Sequence, residues 1–375
     1  MPPPSLIDVP ELGQWTSQWD ALVDASPLPS PFLRSWWLTG TGGRGRHYVL
    51  VVEDGQLLGG LALEQPHRMS SIRVMSDPAL CSDHIDLLAA SGHEAVVARL
   101  IGDWLSRPGG RLLDLRGVRA GSMLTEVLPG RIRQEPMAAA PYALLPDSAE
   151  AFRATLTSRF RRKIRNTTSR LEGEGVSHRV LRGPAVRSGL DTLRELHRSQ
   201  WQGRSEFLSS FDCFVAGCTG GIEVDEVVVH QLVTGDLVVA TAFAFEVAGR
   251  ASMYQSARLT DPRWKDVGVT LFSSIVDDAC ARGLTEVDFL RGEEEWKGRF
   301  TTQRREMFRL VAGKGVMGGL GRAGTAATFY ASQTAVRGVR FGRSVASRWN
   351  AKSRDRSSTG GRAPSGTSEA TGDES

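Results

Sequence analysis

The chain has 375 residues, 41% hydrophobic and 23% charged, with a formal net charge of +4. That length predicts two domains, each able to bury its own core. So small a charge excludes a surface that is basic throughout, as a general nucleic-acid binder would need. The longest apolar stretch, 237–245, is too short for a membrane-crossing helix. The opening MPPPSLIDVP has neither the basic nor the apolar segment of a secretory signal, so the expected location is the cytoplasm. Cys81, Cys213, Cys218 and Cys280 form no CxxC pair and read as free thiols of a reducing compartment. The seven histidines show no HxxxH or HxH spacing, so no metal site is expected.

In chain order, helices are predicted over 11–25 and 31–39, and a hairpin over 47–65 turning at Asp54-Gly55, a pair that suits a tight primed turn. Strands follow at 71–75 and 82–89, a helix at 93–106, a short strand at 112–117 and weaker strands at 131–135 and 142–145. Ser148 is a good N-cap for a helix running to about Gly173. A strand at 176–182 and a helix at 187–200 come next, then a region at 201–221 with another short helix. Strands at 227–233, 237–247 and 251–259 are joined by tight turns and predict an antiparallel meander. Helix 268–282 carries Leu271, Phe272, Ile275, Val276 and Ala279 at helical spacing. Strand 286–290 follows it, and a right-handed crossover would set that strand parallel to 251–257.

The two halves match in order. A hairpin turning at Gly55 precedes a strand, a helix and LLDLRG, and a hairpin turning at Gly235 precedes a strand, a helix and VDFLRG. A diverged tandem repeat accounts for this, with chance likeness of two mixed α/β domains as the alternative. Between them lies SRFRRKIRNTTSR (158–170), whose six cations crowd fewer than four helical turns. Phe160, Ile164, Thr168 and Leu171 recur at helical spacing, so one stripe packs and the cations cover the rest. Arginine outnumbers lysine 41 to 5, which lowers the weight of any single arginine.

Residues 158–312 resemble the CelD/BcsL-type acetyltransferases, a BioF2-like branch of the GNAT acyltransferases. The segments that carry the likeness are SRFRRKIRNTTSRLEGEG, DPRWKDVGVTLF and DFLRGEEEWKGRF. SPFLRSWWLTG, EDGQLLGGLAL and SDHIDLL extend it to the first half, and the FemABX aminoacyl-tRNA-dependent transferases share the tandem arrangement. The resemblance implies an α/β (α+β) fold of two GNAT-like domains with mixed sheets. A degenerate one would span 1–147 and an active one 148–315, followed by a basic helical extension at 316–350 and a disordered tail at 351–375.

It also implies transfer of an acetyl or other acyl group from acyl-CoA, as co-substrate, to an amine acceptor in envelope or exopolysaccharide biosynthesis. The alternatives are aminoacyl transfer from tRNA, and an inactive binding module. Strand 251–259 would face the thioester. Arg263, Lys265, Gly268 and Val269 would meet the coenzyme phosphates at a helix start, although the usual Q/RxxGxG/A loop keeps only one glycine here. Asp288 is either a base for the amine or a structurally bonded carboxylate. Glu295 and Lys297 follow it in the loop, and Tyr254 stands in for the family's tyrosine, which is Trp296 here. Arg161, Arg162 and Arg165 either border a groove that attracts an acidic or phosphate-bearing ligand or form a solvated face. Asp83 and His84 are placed in a cleft between the halves, with an exposed turn as the alternative, and His230 is read as a core histidine. No DNA partner is expected, and the basic segment 337–362 is a candidate for peripheral contact with an anionic membrane.

Overall fold

A computed structural model describes residues 3–67, 70–76, 78–107, 112–201, 205–292 and 294–313, all within one unit, Met1–Gly319. The expected extension at 323–350 and tail at 351–375 lie outside the described residues. Among the described residues no helix is long and apolar enough to cross a membrane.

The local expectations largely appear. The first hairpin is Arg46–Glu53 with Gln56–Glu64, turning at Asp54 and Gly55 with positive φ. The meander is Val227–Thr234, Leu237–Val247 and Arg250–Arg258, and Glu286–Asp288 runs parallel to the last of these. The basic helix is Ser158–Gly173, capped by Thr157 Oγ1, which accepts from the Phe160 N–H. It buries Phe160, Ile164, Thr167 and Leu171; Thr168 is half-buried instead and bonds Thr270. Other expectations differ. The helix expected from Ser148 to Gly173 is two, Ala149–Thr155 and Ser158–Gly173, broken where Leu156 and Thr157 take extended backbone. Residues 82–89 form a loop ending in the two-residue strand Leu88–Ala89, because Cys81 and His84 take left-handed backbone. Strand 286–290 stops at Asp288, since Leu290 is left-handed too. Strands Ser5–Val9 and Met307–Gly313 were not anticipated.

The two sheets repeat one plan. The first runs Ser5–Val9, Arg46–Glu53, Gln56–Glu64, Ile72–Val74, Leu112–Arg119, Met307–Gly313, Arg133–Pro136. The second runs Ser177–Leu181, Val227–Thr234, Leu237–Val247, Arg250–Arg258, Glu286–Asp288, Ala140–Leu144, Arg304–Arg305. The sixth place in each sheet is filled from the other half of the chain: Met307–Gly313 joins the first sheet and Ala140–Leu144 the second. The repeats are thus interlocked by exchanged strands.

One hydrophobic core also runs through both halves. Phe32 and Trp37 from the first half meet Phe214, Phe245 and Tyr254 from the second at ring-centroid distances of 5.4–6.5 Å. Helix Ser35–Thr41 lies against helix Phe211–Glu223 through glycines. A Cβ on Gly217 would stand 2.5 Å from Thr41 Cγ2 and 3.2 Å from the Trp37 ring. We expect Gly217→Val to lower stability by about 1–3 kcal/mol, read from the denaturant midpoint. Gly173→Ala, where an added Cβ meets nothing within 4 Å, is the control and should leave the midpoint near wild type.

Candidate functional site

Strand Arg250–Arg258 pairs with Leu237–Val247 along its length but with Glu286–Asp288 only at Arg250, Ala251 and Ser252. Beyond Ser252 the parallel strands part, and a cleft of about 660 Å³ opens along the edge from Met253 to Arg258. The separation has a local cause. The N–H groups of Phe289 and Gly292 donate to the carbonyls of Pro141 and Ala139, drawing the chain toward the exchanged strand Ala140–Leu144. Leu290 sits at φ 52, a costly conformation for a branched residue. It is held there by Asp288 Oδ1, which accepts its N–H at 2.8 Å, and by Lys297, whose ammonium donates to the Leu290 and Arg291 carbonyls at 3.3 and 3.1 Å.

The start of helix Val267–Ala281 forms one end of the cleft. Asp266 precedes it with left-handed backbone and offers no side-chain cap. The Val269 N–H donates to the Asp266 carbonyl at 2.8 Å, while the N–H groups of Val267 and Gly268 lack intrahelical acceptors, and Gly268 and Val269 line the cavity. A Cβ on Gly268 would meet nothing within 4 Å, so the backbone there faces open space. Lys163, from the basic helix, lines the same end and bonds Asp266 Oδ1 at 2.9 Å, which holds that carboxyl below its usual range.

The side walls differ in character. One is aromatic: Phe272 stacks on Trp296 at 4.0 Å, and Phe160 meets Phe300 edge-on at 5.1 Å. The other is polar and comes from the end of helix Val186–Trp201, where Gln200 Oε1 accepts the Arg258 N–H at 3.0 Å. His197 on this wall is buried, with Nε2 2.8 Å from Ser205 Oγ. Burial pushes its pKa down, opposed by the backbone of Ser256, so the ring favours its neutral form. Trp201, half-exposed, stands at the mouth.

Of the residues singled out from the sequence, Tyr254, Glu295, Lys297, Gly268 and Val269 line this cleft. Tyr254 donates its hydroxyl to the Leu80 carbonyl, and burial holds its pKa well above the usual value. Glu295 is exposed and bonds Arg299, which lowers its pKa. Lys297 is buried and tied to the loop carbonyls and Glu294. Arg263 lies outside, paired with Glu174 and stacked on Trp264, and Lys265 is exposed beside it. Arg161 is committed to the carbonyls of Ala154 and Leu156, while Arg162 and Arg165 are exposed on the helix away from the cavity lining. From that helix it is Lys163 that reaches the cleft.

Asp288, Asp83 and His84 meet behind the cleft, buried and not in its lining. His84 Nε2 lies 2.8 Å from Asp288 Oδ2, which Arg250 and Arg305 approach at 2.9 and 3.3 Å; both arginines also bond Glu286. Burial opposes ionisation of Asp288, but His84, Arg250 and Arg305 override it and hold the carboxyl far below the usual range. Both of its oxygens are occupied, one by the Leu290 N–H and the other by His84, Arg250 and Arg305. Asp83, raised by burial against the pull of Arg291 and His84, accepts the Arg291 N–H and pairs with its guanidinium. His197 was missed from the sequence. The available signal was its place one turn after Leu193, on the apolar face of its helix, which more often marks a packed histidine.

The Acetyltransferase (GNAT) domain family matches the chain over residues 158–298, the segment that builds this cleft. No curated protein matches. Among solved structures, FemX superposes with a TM-score of 0.58 at 10% identity, covering 81% of this chain and 96% of that one. The C-terminal domain of a putative lysylphosphatidylglycerol synthetase from Agrobacterium fabrum has a TM-score of 0.55 at 12% identity, covering 80% and 91%. A conserved protein of unknown function from Bacteroides thetaiotaomicron has a TM-score of 0.55 at 12% identity, covering 83% and 100%. The fold is a GNAT acetyltransferase fold in a mixed α/β chain with two sheets.

Removing one partner of a buried ion cluster leaves the others uncompensated, at a cost of about 3–5 kcal/mol. Asp288→Ala is therefore expected to lose stability on that scale in equilibrium denaturation, and Asp288→Asn to lose less.

Proposed function

We propose that this protein is an N-acyltransferase that moves an acyl group from a coenzyme A thioester to an amine. One observation carries the reading: an unpaired strand edge, Met253–Arg258, runs along a cleft that ends at the uncapped start of helix Val267–Ala281. Such an edge offers backbone N–H and C=O groups to the amides of a pantetheine arm. The helix start offers N–H groups and a positive dipole end to a pyrophosphate, with Lys163 beside it. Backbone N–H groups of the same edge are suited to the oxyanion of the tetrahedral intermediate.

The amine must lose a proton as it attacks. Among the described titratable side chains lining the cleft, Asp266, Glu294 and Glu295 are ion-paired and the Tyr254 hydroxyl is committed to a carbonyl. His197, neutral and bonded to Ser205, is the group we assign to accept the proton, directly or through that hydroxyl. The acceptor then enters along the wall of His197 and Trp201. A second reading, aminoacyl transfer from tRNA, draws on the exposed Arg159, Arg162 and Arg165 of the basic helix, whose Lys163 lines the cleft. It requires charged tRNA to bind with a steep salt dependence.

Acetyl-CoA binding, measured by calorimetry on wild type and Gly268→Trp, tests the main reading. The open space at Gly268 admits the indole without disturbing the core and directs it at the helix start. Binding in the micromolar range that the variant loses is the expected result, and no binding by wild type overturns it. Once an acceptor amine is in hand, His197→Gln is expected to keep acetyl-CoA affinity while kcat falls by about 10²–10⁴.

A further inference from the structure

Away from the cleft, near the other end of helix Val267–Ala281, separate elements bring imidazoles and carboxylates together. His178 comes from strand Ser177–Leu181, His230 from Val227–Thr234, Glu246 from Leu237–Val247, and Asp278 from the helix itself. Ligand atoms of His230, Glu246 and Asp278 lie within 4.8 Å of one another. His230 is 1% exposed. Its Nδ1 is 3.2 Å from His178 Nε2, the rings stacked with an interplanar angle of 3°, and its buried Nε2 has no hydrogen-bond partner. A buried ring nitrogen without a partner is a costly feature that a bound group would relieve.

We propose that His230, Glu246 and Asp278 form a binding site for a divalent transition-metal ion of the Zn²⁺ class. One imidazole and two carboxylates are a donor set that suits such an ion, with water completing its shell. His178 supplies what ligating histidines ordinarily have, a partner on the other ring nitrogen that fixes tautomer and orientation. Two cations occupy the carboxylates. Arg282 bonds Asp278 through Nε at 3.1 Å and Glu246 through its terminal nitrogen, and Arg182 holds the second oxygen of Glu246 at 2.6 Å. Arg282 follows the last helical residue and is about one-third exposed, so its side chain has solvent to swing into. The metal would take its place between the two carboxylates, pinning the end of the helix to the sheet. Spacing motifs cannot reveal such a site, because each ligand comes from a different element.

The test uses the full chain, stripped of metal with EDTA and titrated with Zn²⁺ in thermal denaturation and calorimetry. Wild type is expected to gain in Tm with saturable binding at one equivalent, and Arg282→Ala to bind more tightly because its competitor is gone. His178→Phe should weaken binding about 10–100-fold. His230→Gln and, at a half-buried position where folding is less at risk, Asp278→Asn should abolish the one-equivalent event. Absence of a shift in both wild type and Arg282→Ala would overturn the proposal. So would an equal shift in His230→Gln and Asp278→Asn, which would place the ion elsewhere.

Discussion

The Asp288 carboxylate is the constraint on which the second half depends. One oxygen accepts the N–H of Leu290 and helps hold it in left-handed backbone; the other faces His84, Arg250 and Arg305. The first contact ends the strand and turns the chain away from its neighbour. The others anchor that turn to the first half, the meander and the segment that leads back to the first sheet. Buried charge is expensive unless every partner is in place, so the opening of the cleft is tied to correct assembly of the whole chain.

The same plan met a different end in the first sheet. Ile72–Val74 and Leu112–Arg119 run parallel and pair only at Ile72 and Arg73, much as their counterparts do. Beyond that point the chain fills the gap with its own loop: Ile85 bridges Val118, and the Ser82 carbonyl packs so close to Gly117 that a Cβ there would stand 2.0 Å from it. Only a residue free to take φ 75 with no side chain fits. The plugging loop is also the one that delivers Asp83 and His84 to the other half. The corresponding gap is filled in the first sheet and open in the second, and the loop that fills the one buttresses the other.

Much of this was legible in the sequence, and the rest was hidden for physical reasons. The hairpin at Gly55, the meander and the helix from Val267 declare themselves through turn residues and period. Met307–Gly313 and Ala140–Leu144 look like ordinary short apolar runs, and nothing local says that each completes the sheet of the other half. In the site, Gly268, Val269, Lys297 and Tyr254 were marked by position relative to strands and helix starts, and they do line the cleft. Charge density misled in the basic helix. Helical geometry aims Lys163 at the cavity and turns Arg162 and Arg165 to solvent, a difference of about 100° per residue that composition cannot register. His197 sits on the apolar face of its helix, and its bond to Ser205 comes from the segment after the helix, which periodicity does not mark.

Exchange of the sixth strands has a consequence for how the chain is born. The first sheet holds an unfilled place between Leu112–Arg119 and Arg133–Pro136 until Met307–Gly313 has left the ribosome. Until then the nascent chain carries two open sheet edges, the features that most invite pairing with a stranger. Folding therefore cannot finish one repeat at a time as synthesis proceeds; it must wait for contacts that span nearly two hundred residues. A fold assembled from two similar modules is in this sense a single event in time.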